Sequence, residues 1–140
     1  MKTILVPIDG SESSLNALKL AIQLASLANA TIYVITVHPP LASPNVTRYI
    51  SADDLRDYYN EEGQKVLKLA EPLLAESGAA ATMEVKVGQV AETILECAHN
   101  WQCDHIVMGT RGLGNVKSLL LGSVATKVLT NTEIPVTVVK

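Results

Sequence analysis

A chain of 140 residues with 48% hydrophobic and 18% charged side chains has the length of one domain and enough apolar matter for a core, which excludes disorder as its main state. A net charge of −3 supplies no general field for attracting nucleic acid or an anionic membrane, and leaves room only for a positive patch at a small ligand site. No apolar segment approaches the roughly 18 residues of a membrane helix, the opening from Lys2 to Asp9 does not resemble a signal peptide, and Cys97 and Cys103 form no disulfide framework, so a cytoplasmic location is expected.

Apolar, β-branched runs alternate with segments of helical period. Thr3–Ile8 predicts a strand, followed by a helix with Ser11 as N-cap, Glu12 in its first turn and an apolar stripe of Leu15, Leu18, Ile22 and Ala25. Thr31–Val37 predicts the second strand. His38 to about Ala52 contains Pro39, Pro40 and Pro44 and reads as a long loop, a frequent form for a lid or binding flap. A long helix from about Asp53 to Ser77 carries Leu55, Tyr59, Glu62, Val66, Leu69 and Leu73 on one face; Glu62 there suggests that its first half projects beyond the core, and Pro72 should bend or break it. Ala81–Val87 predicts a strand, Gln89–Asn100 a helix with Val90, Ile94 and Ala98 inward, His105–Met108 a strand, Gly122–Asn131 a helix and Val136–Val139 the last strand. The order β-α-β-α-β-α-β-α-β, without internal repeat or linker, implies one doubly wound α/β domain with a parallel sheet and helices on both faces.

The chemistry concentrates where the fourth strand ends. Gly109-Thr110-Arg111-Gly112-Leu113-Gly114 puts three glycines within six residues, which lets backbone amides approach a ligand with no Cβ in the way. Gly122-Ser123 at a helix start would offer N–H groups, a hydroxyl and the positive end of a helix dipole, features that favour a phosphate. Arg111 and Lys117 add local positive charge. Any tight turn uses glycine, so composition alone leaves a plain turn open. Position favours a ligand, because doubly wound sheets bind beyond the carboxyl ends of their strands, where the strand order reverses. If the first and fourth strands are neighbours there, Asp9 faces Gly109 across the crevice. The segment is neither a Walker A loop nor a dinucleotide fingerprint, since no Lys-Ser or Lys-Thr follows and the glycines fall at other intervals.

The spacing glycine, two residues, glycine, nine residues, glycine-serine over Gly109, Gly112, Gly122 and Ser123 resembles the ATP-binding branch of the universal stress protein family. The opening Ile4-Leu5-Val6-Pro7-Ile8-Asp9-Gly10-Ser11 and the ending Ile134-Pro135-Val136 share the likeness, which spans the whole chain. The resemblance implies a Rossmann-like sheet of five strands in the order 3-2-1-4-5, as in the adenine nucleotide alpha hydrolases. It implies that the turn around Met108, Gly109, Arg111 and Gly112, with Gly122-Ser123-Val124, holds ribose and phosphates. Pro7 and Asp9 would line the pocket from the first strand, and Val37 would meet adenine through its backbone. ATP, with magnesium or manganese on its phosphates, is the expected cofactor. Asp9 could instead cap the first helix, and Val37 could serve the core alone.

Cys97, His99, Cys103 and His105 suggest a metal cluster at first glance, but helix residues two apart do not face each other, so a shared ion is not expected. Ser123 lacks a partner histidine or acid at a telling spacing, and Asp9 lacks the acidic neighbours of a phosphoacceptor. The expected activity is therefore nucleotide-dependent binding in a stress response, in association with an unidentified protein partner, with no catalytic residue assigned. A slow ATPase in the same pocket and a non-nucleotide interaction protein are the alternatives. Among the sheet edges, the third strand alternates Thr82, Glu84 and Lys86 with apolar residues and so presents one wet face. The fifth presents Val136, Val138 and Val139, and a homodimer paired through that last strand is expected.

Overall fold

The computed structural model describes residues 1–41, 43–113 and 120–140. The β-branched runs form β1 (Thr3–Pro7), β2 (Thr31–His38), β3 (Ala81–Val87), β4 (His105–Gly109) and β5 (Val136–Val139). Between them lie α1 (Glu12–Ala28), α2 (Pro44–Thr47), α3 (Ala52–Ser77), α4 (Val90–Asn100) and α5 (Ser123–Asn131). All four strand pairings are parallel, and the order is β3-β2-β1-β4-β5, as expected.

Strand residues alternate between two buried faces. Ile4, Val6, Ile32, Val34 and Val107 pack with Ala17, Leu18 and Ala21 of α1 and Leu67, Ala70 and Leu74 of α3. Leu5, Ile35, Ile106 and Met108 pack on the other face with Ala91, Ile94 and Ala98 of α4 and Ala125 and Val128 of α5. The sheet is thereby covered on both sides, and the ends of β1 and β4 lie where the strand order reverses.

Three local expectations change. The segment after β2 is not wholly loop: Pro44 starts the short helix α2, with the Arg48 N–H on the Pro44 carbonyl at 3.0 Å. Proline suits a first helical position because its missing N–H would have no partner there anyway. Nor does Pro72 interrupt α3. The carbonyl that loses its donor belongs to Lys68, and both residues are exposed, so water can serve in place of the missing bond. The first half of α3 is largely solvent-facing, as Glu62 suggested, and burial begins at Gly63. On β3 the polar face is not simply wet. Glu84 and Lys86 pair at 3.0 Å, and Lys86 lies 5.3 Å from the ring centre of Trp101, which stacks on Tyr33. Trp101 at the end of α4 thus partly covers that side of the strand.

Candidate functional site

Two turns flank the point where the sheet order reverses, one from β1 into α1 and one leaving β4. Between them and α4 lies a cavity of about 290 Å³, just below the range of roughly 300–1,000 Å³ found for ligand pockets.

The first turn is tied to itself. Gly10 adopts φ +87°, a conformation that a side chain would disfavour. This brings the Ser11 N–H onto Asp9 Oδ1 at 2.9 Å, while Ser11 Oγ accepts from the Ser14 N–H at 3.2 Å and caps α1. Ser14 Oγ donates to the Ser11 carbonyl at 2.9 Å and accepts the Asp9 N–H at 3.4 Å. Ser11 is therefore the cap. Asp9 braces the turn with one carboxylate oxygen and keeps the other, Oδ2, against Gly112: a Cβ on that glycine would lie 2.9 Å from it.

The second turn is held from outside. Thr110 donates its N–H to the Val139 carbonyl at 2.8 Å, and its own carbonyl accepts the Gly122 N–H at 2.6 Å. Ser13 Oγ donates to the Arg111 carbonyl at 2.7 Å. Gly109 is required by packing: a Cβ there would stand 2.5 Å from Ser13 Oγ and 2.9 Å from backbone atoms of Ser13 and Ser14. Gly122 also differs from expectation, because its N–H is taken by Thr110 and is not on offer to a ligand. A Cβ there would come within 3.4 Å of Arg111 Cα and the Thr110 carbonyl. The open donors lie just beyond. Gly122 provides no side-chain cap for α5, and among the described residues the N–H groups of Ser123, Val124 and Ala125 have no hydrogen-bond partner. They carry the positive end of the α5 dipole toward the cavity that these residues line.

The opposite wall is apolar. Val37, Val90, Ile94, Met108, Val124 and Ala125 line it, all part of the core between the sheet, α4 and α5. At its margin the backbone of Val37 is open. Ile35 turns its carbonyl toward β1, accepting from the Ile8 N–H at 2.8 Å, and His38 turns its carbonyl toward β3, accepting from the Gly88 N–H at 3.1 Å. By strand alternation the polar groups of Val37 point like those of Ile35, past the end of β1, where among the described residues no backbone partner meets them.

Pro7, Asp9, Val37, Met108, Gly109, Arg111, Gly112, Gly122, Ser123 and Val124, the residues expected from the sequence, all border this one cavity. Ile8, Ser14, Val90, Ile94, Thr110 and Ala125 border it too and were not anticipated as site residues. Gly114 and Lys117 lie outside the described residues. The cysteines and histidines serve elsewhere. Cys97 and Cys103 are buried and unpaired, and burial pushes both thiols up, Cys103 to about 11. His105 Nε2 bonds Thr137 Oγ1 at 2.8 Å across β4 and β5. Among the described residues no cluster of three or more His, Cys, Asp or Glu side chains could hold a metal ion.

A doubly wound α/β protein with a half-apolar, half-polar crevice at its switch point is the class that fold and site define. The sequence model of the universal stress protein family matches residues 1–140, and the chain belongs to that family. The universal stress protein MJ0531 of Methanocaldococcus jannaschii is 39% identical over 99% of this chain and 82% of its own length. Among solved structures, that of hypothetical protein MJ0577 superposes with a TM-score of 0.86 at 29% identity, covering 99% of this chain and 95% of that one. A universal stress protein in complex with cAMP superposes with a TM-score of 0.74 at 28% identity, covering 99% and 97%.

Proposed function

We propose that this chain binds an adenine nucleotide, ATP foremost, in the cavity between the β1 and β4 turns, and acts in the cytoplasm as a nucleotide-dependent binding module of a stress response. The observation that carries the reading is the division of the cavity. Its apolar wall of Val37, Val90, Ile94 and Met108 suits a flat base, with the open backbone of Val37 at the edge where a base presents donors and acceptors. Its other end presents the N–H groups at the start of α5, which have no partner among the described residues, and is bordered by Ser123 and Arg111 as well, which suits phosphates. The cAMP complex of a relative at 28% identity supports the choice of adenine. ATP fits this arrangement with its base inward and its phosphates toward the turns. Asp9 is the one carboxylate among the lining residues, so a divalent ion would ride on the phosphates with Asp9 as its nearest acidic neighbour.

The location rests on unpaired cysteines, and among the described residues no helix is long and apolar enough to cross a membrane. Self-association through β5 belongs to the same proposal. Among the described residues that strand pairs only with β4, and Val138 stands exposed on it, which leaves its outer edge to a second copy. Chromatography of the small molecules released from denatured protein tests the nucleotide assignment: an adenine nucleotide at near one per chain is expected, and a protein that carries none and takes up none contradicts it. Light scattering tests the association. A dimer dissociated by Val138→Glu is expected, and a monomer mass for the unaltered protein at micromolar concentration refutes it. That point change is preferable to deleting β5, because the Val139 carbonyl holds Thr110 at the site.

A further inference from the structure

We infer that Ser13 is a positioning residue of the nucleotide site, an assignment that rests on the binding function proposed above. Ser13 touches no part of the cavity itself: it sits in the first turn of α1, nine-tenths buried, and is not among the lining residues. Its hydroxyl nevertheless reaches the site's backbone, donating to the Arg111 carbonyl at 2.7 Å across 98 residues of sequence. Two features make this contact specific to the loop. First, the hydroxyl lies over Gly109, where a Cβ would stand 2.5 Å from Ser13 Oγ, so the glycine leaves the space through which the serine passes to residue 111. Second, among the described residues it is the one side-chain hydrogen bond that joins the α1 turn directly to the β4 turn. The neighbouring serines act locally instead, Ser11 as cap and Ser14 on Asp9 and Ser11.

The consequence is directional. Fixing the Arg111 carbonyl toward α1 orients the plane of the Arg111–Gly112 peptide, and with it the Gly112 N–H that points the opposite way. Without the hydroxyl, that carbonyl loses its donor and the peptide can rotate, so a ligand must order it on binding. A merely structural role in α1 predicts a different outcome: lower thermal stability, with affinity unchanged in the folded protein.

The test is Ser13→Ala, titrated calorimetrically with ATP beside the unaltered protein, with the Arg111 carbonyl ¹³C shift and the Gly112 amide shift recorded without nucleotide. The account expects a weakening of about threefold to tenfold, the range set by one net hydrogen bond, together with displaced Arg111 carbonyl and Gly112 amide resonances. Unaltered affinity in the folded variant overturns the inference, whatever the change in melting temperature. Should the unaltered protein bind no nucleotide, the proposed function fails separately, and an unmoved Arg111 resonance in Ser13→Ala then overturns the positioning role by itself. If Ser13→Ala does not fold, exchange of the Ser13 hydroxyl proton in the unaltered protein decides. Slow exchange with a cross-peak to the Gly112 amide supports the assignment, and exchange as fast as that of a surface serine overturns it.

Discussion

The β1–α1 turn and the turn leaving β4 at Gly109–Gly112 border one cavity, yet they are held in opposite ways. The first closes on itself, with Asp9, Ser11 and Ser14 satisfying one another within six residues. The second is held by Val139, Ser13 and Gly122 from outside, and it leads to a helix whose first N–H groups have no partner among the described residues. One turn is closed by its own side chains, and the other leads to helix donors without a partner among the described residues. Under the proposed function a phosphate is the acceptor for those donors.

Substitutions can break or sharpen this contrast. The largest effect is expected from Gly109→Val, which drives a side chain into the backbone of Ser13 and Ser14 where the turns touch. It should lower stability by about 1–3 kcal/mol or more, read by chemical denaturation, because overpacking at backbone contacts finds little room to relax. Gly122→Val should act on the second turn alone. Its Cβ meets the loop only at 3.4 Å, so the fold should survive while the loop shifts and the approach to the α5 N–H groups closes. Calorimetry should then show ATP affinity reduced by at least about tenfold, or 1.4 kcal/mol.

Asp9→Ala probes the first turn. Removing a brace of the Ser11 N–H should cost about 1 kcal/mol of stability, with Ser11 still capping α1. Affinity should fall by more than that equivalent, because Asp9 Oδ2 also borders the cavity. Equal or smaller loss of affinity would reduce Asp9 to a turn residue. The smallest effect belongs to a carboxylate outside both turns. Asp104 has its pKa pulled up by burial, but the N–H groups of Lys2 and Thr3, at 2.7 and 3.3 Å, pull it down further and the net direction is below the ordinary range. A depressed folded-state value means stability that is present above the unfolded pKa of about 3.9 and lost as pH falls through the folded one. Asp104→Asn should therefore flatten the acid limb of the stability profile slightly, since the group is exposed, and leave ATP affinity unchanged.

Most of this architecture could be read from residues in order. The alternation of β-branched runs with helical periods, the cap at Ser11 and the glycine spacing all follow from local rules. What could not be read depends on chain segments meeting at a distance. The spacing marked Gly109 as a ligand residue, but the reason it lacks a Cβ lies in Ser13 and Ser14, far away in sequence. The free N–H groups were expected at Gly122, whose donor is in fact taken by the Thr110 carbonyl, a pairing between residues 12 apart that no local rule predicts. Val90 and Ile94 read as inward-facing core positions, and so they are. Nothing in a helical period says that the core they face opens into a cavity. Pro72 misled for a related reason, since its effect on α3 depends on which side of the helix meets water.

The central claim, that an adenine nucleotide is the acceptor for the N–H groups at the start of α5, is tested most directly by calorimetric titration of nucleotide-free protein with ATP in parallel with Gly122→Val. The account predicts saturable binding of one ATP per chain in the unaltered protein and a folded variant in which that binding is lost. Absence of binding by the unaltered protein to ATP, ADP and AMP alike, or near-normal ATP affinity in a folded Gly122→Val variant, would contradict it.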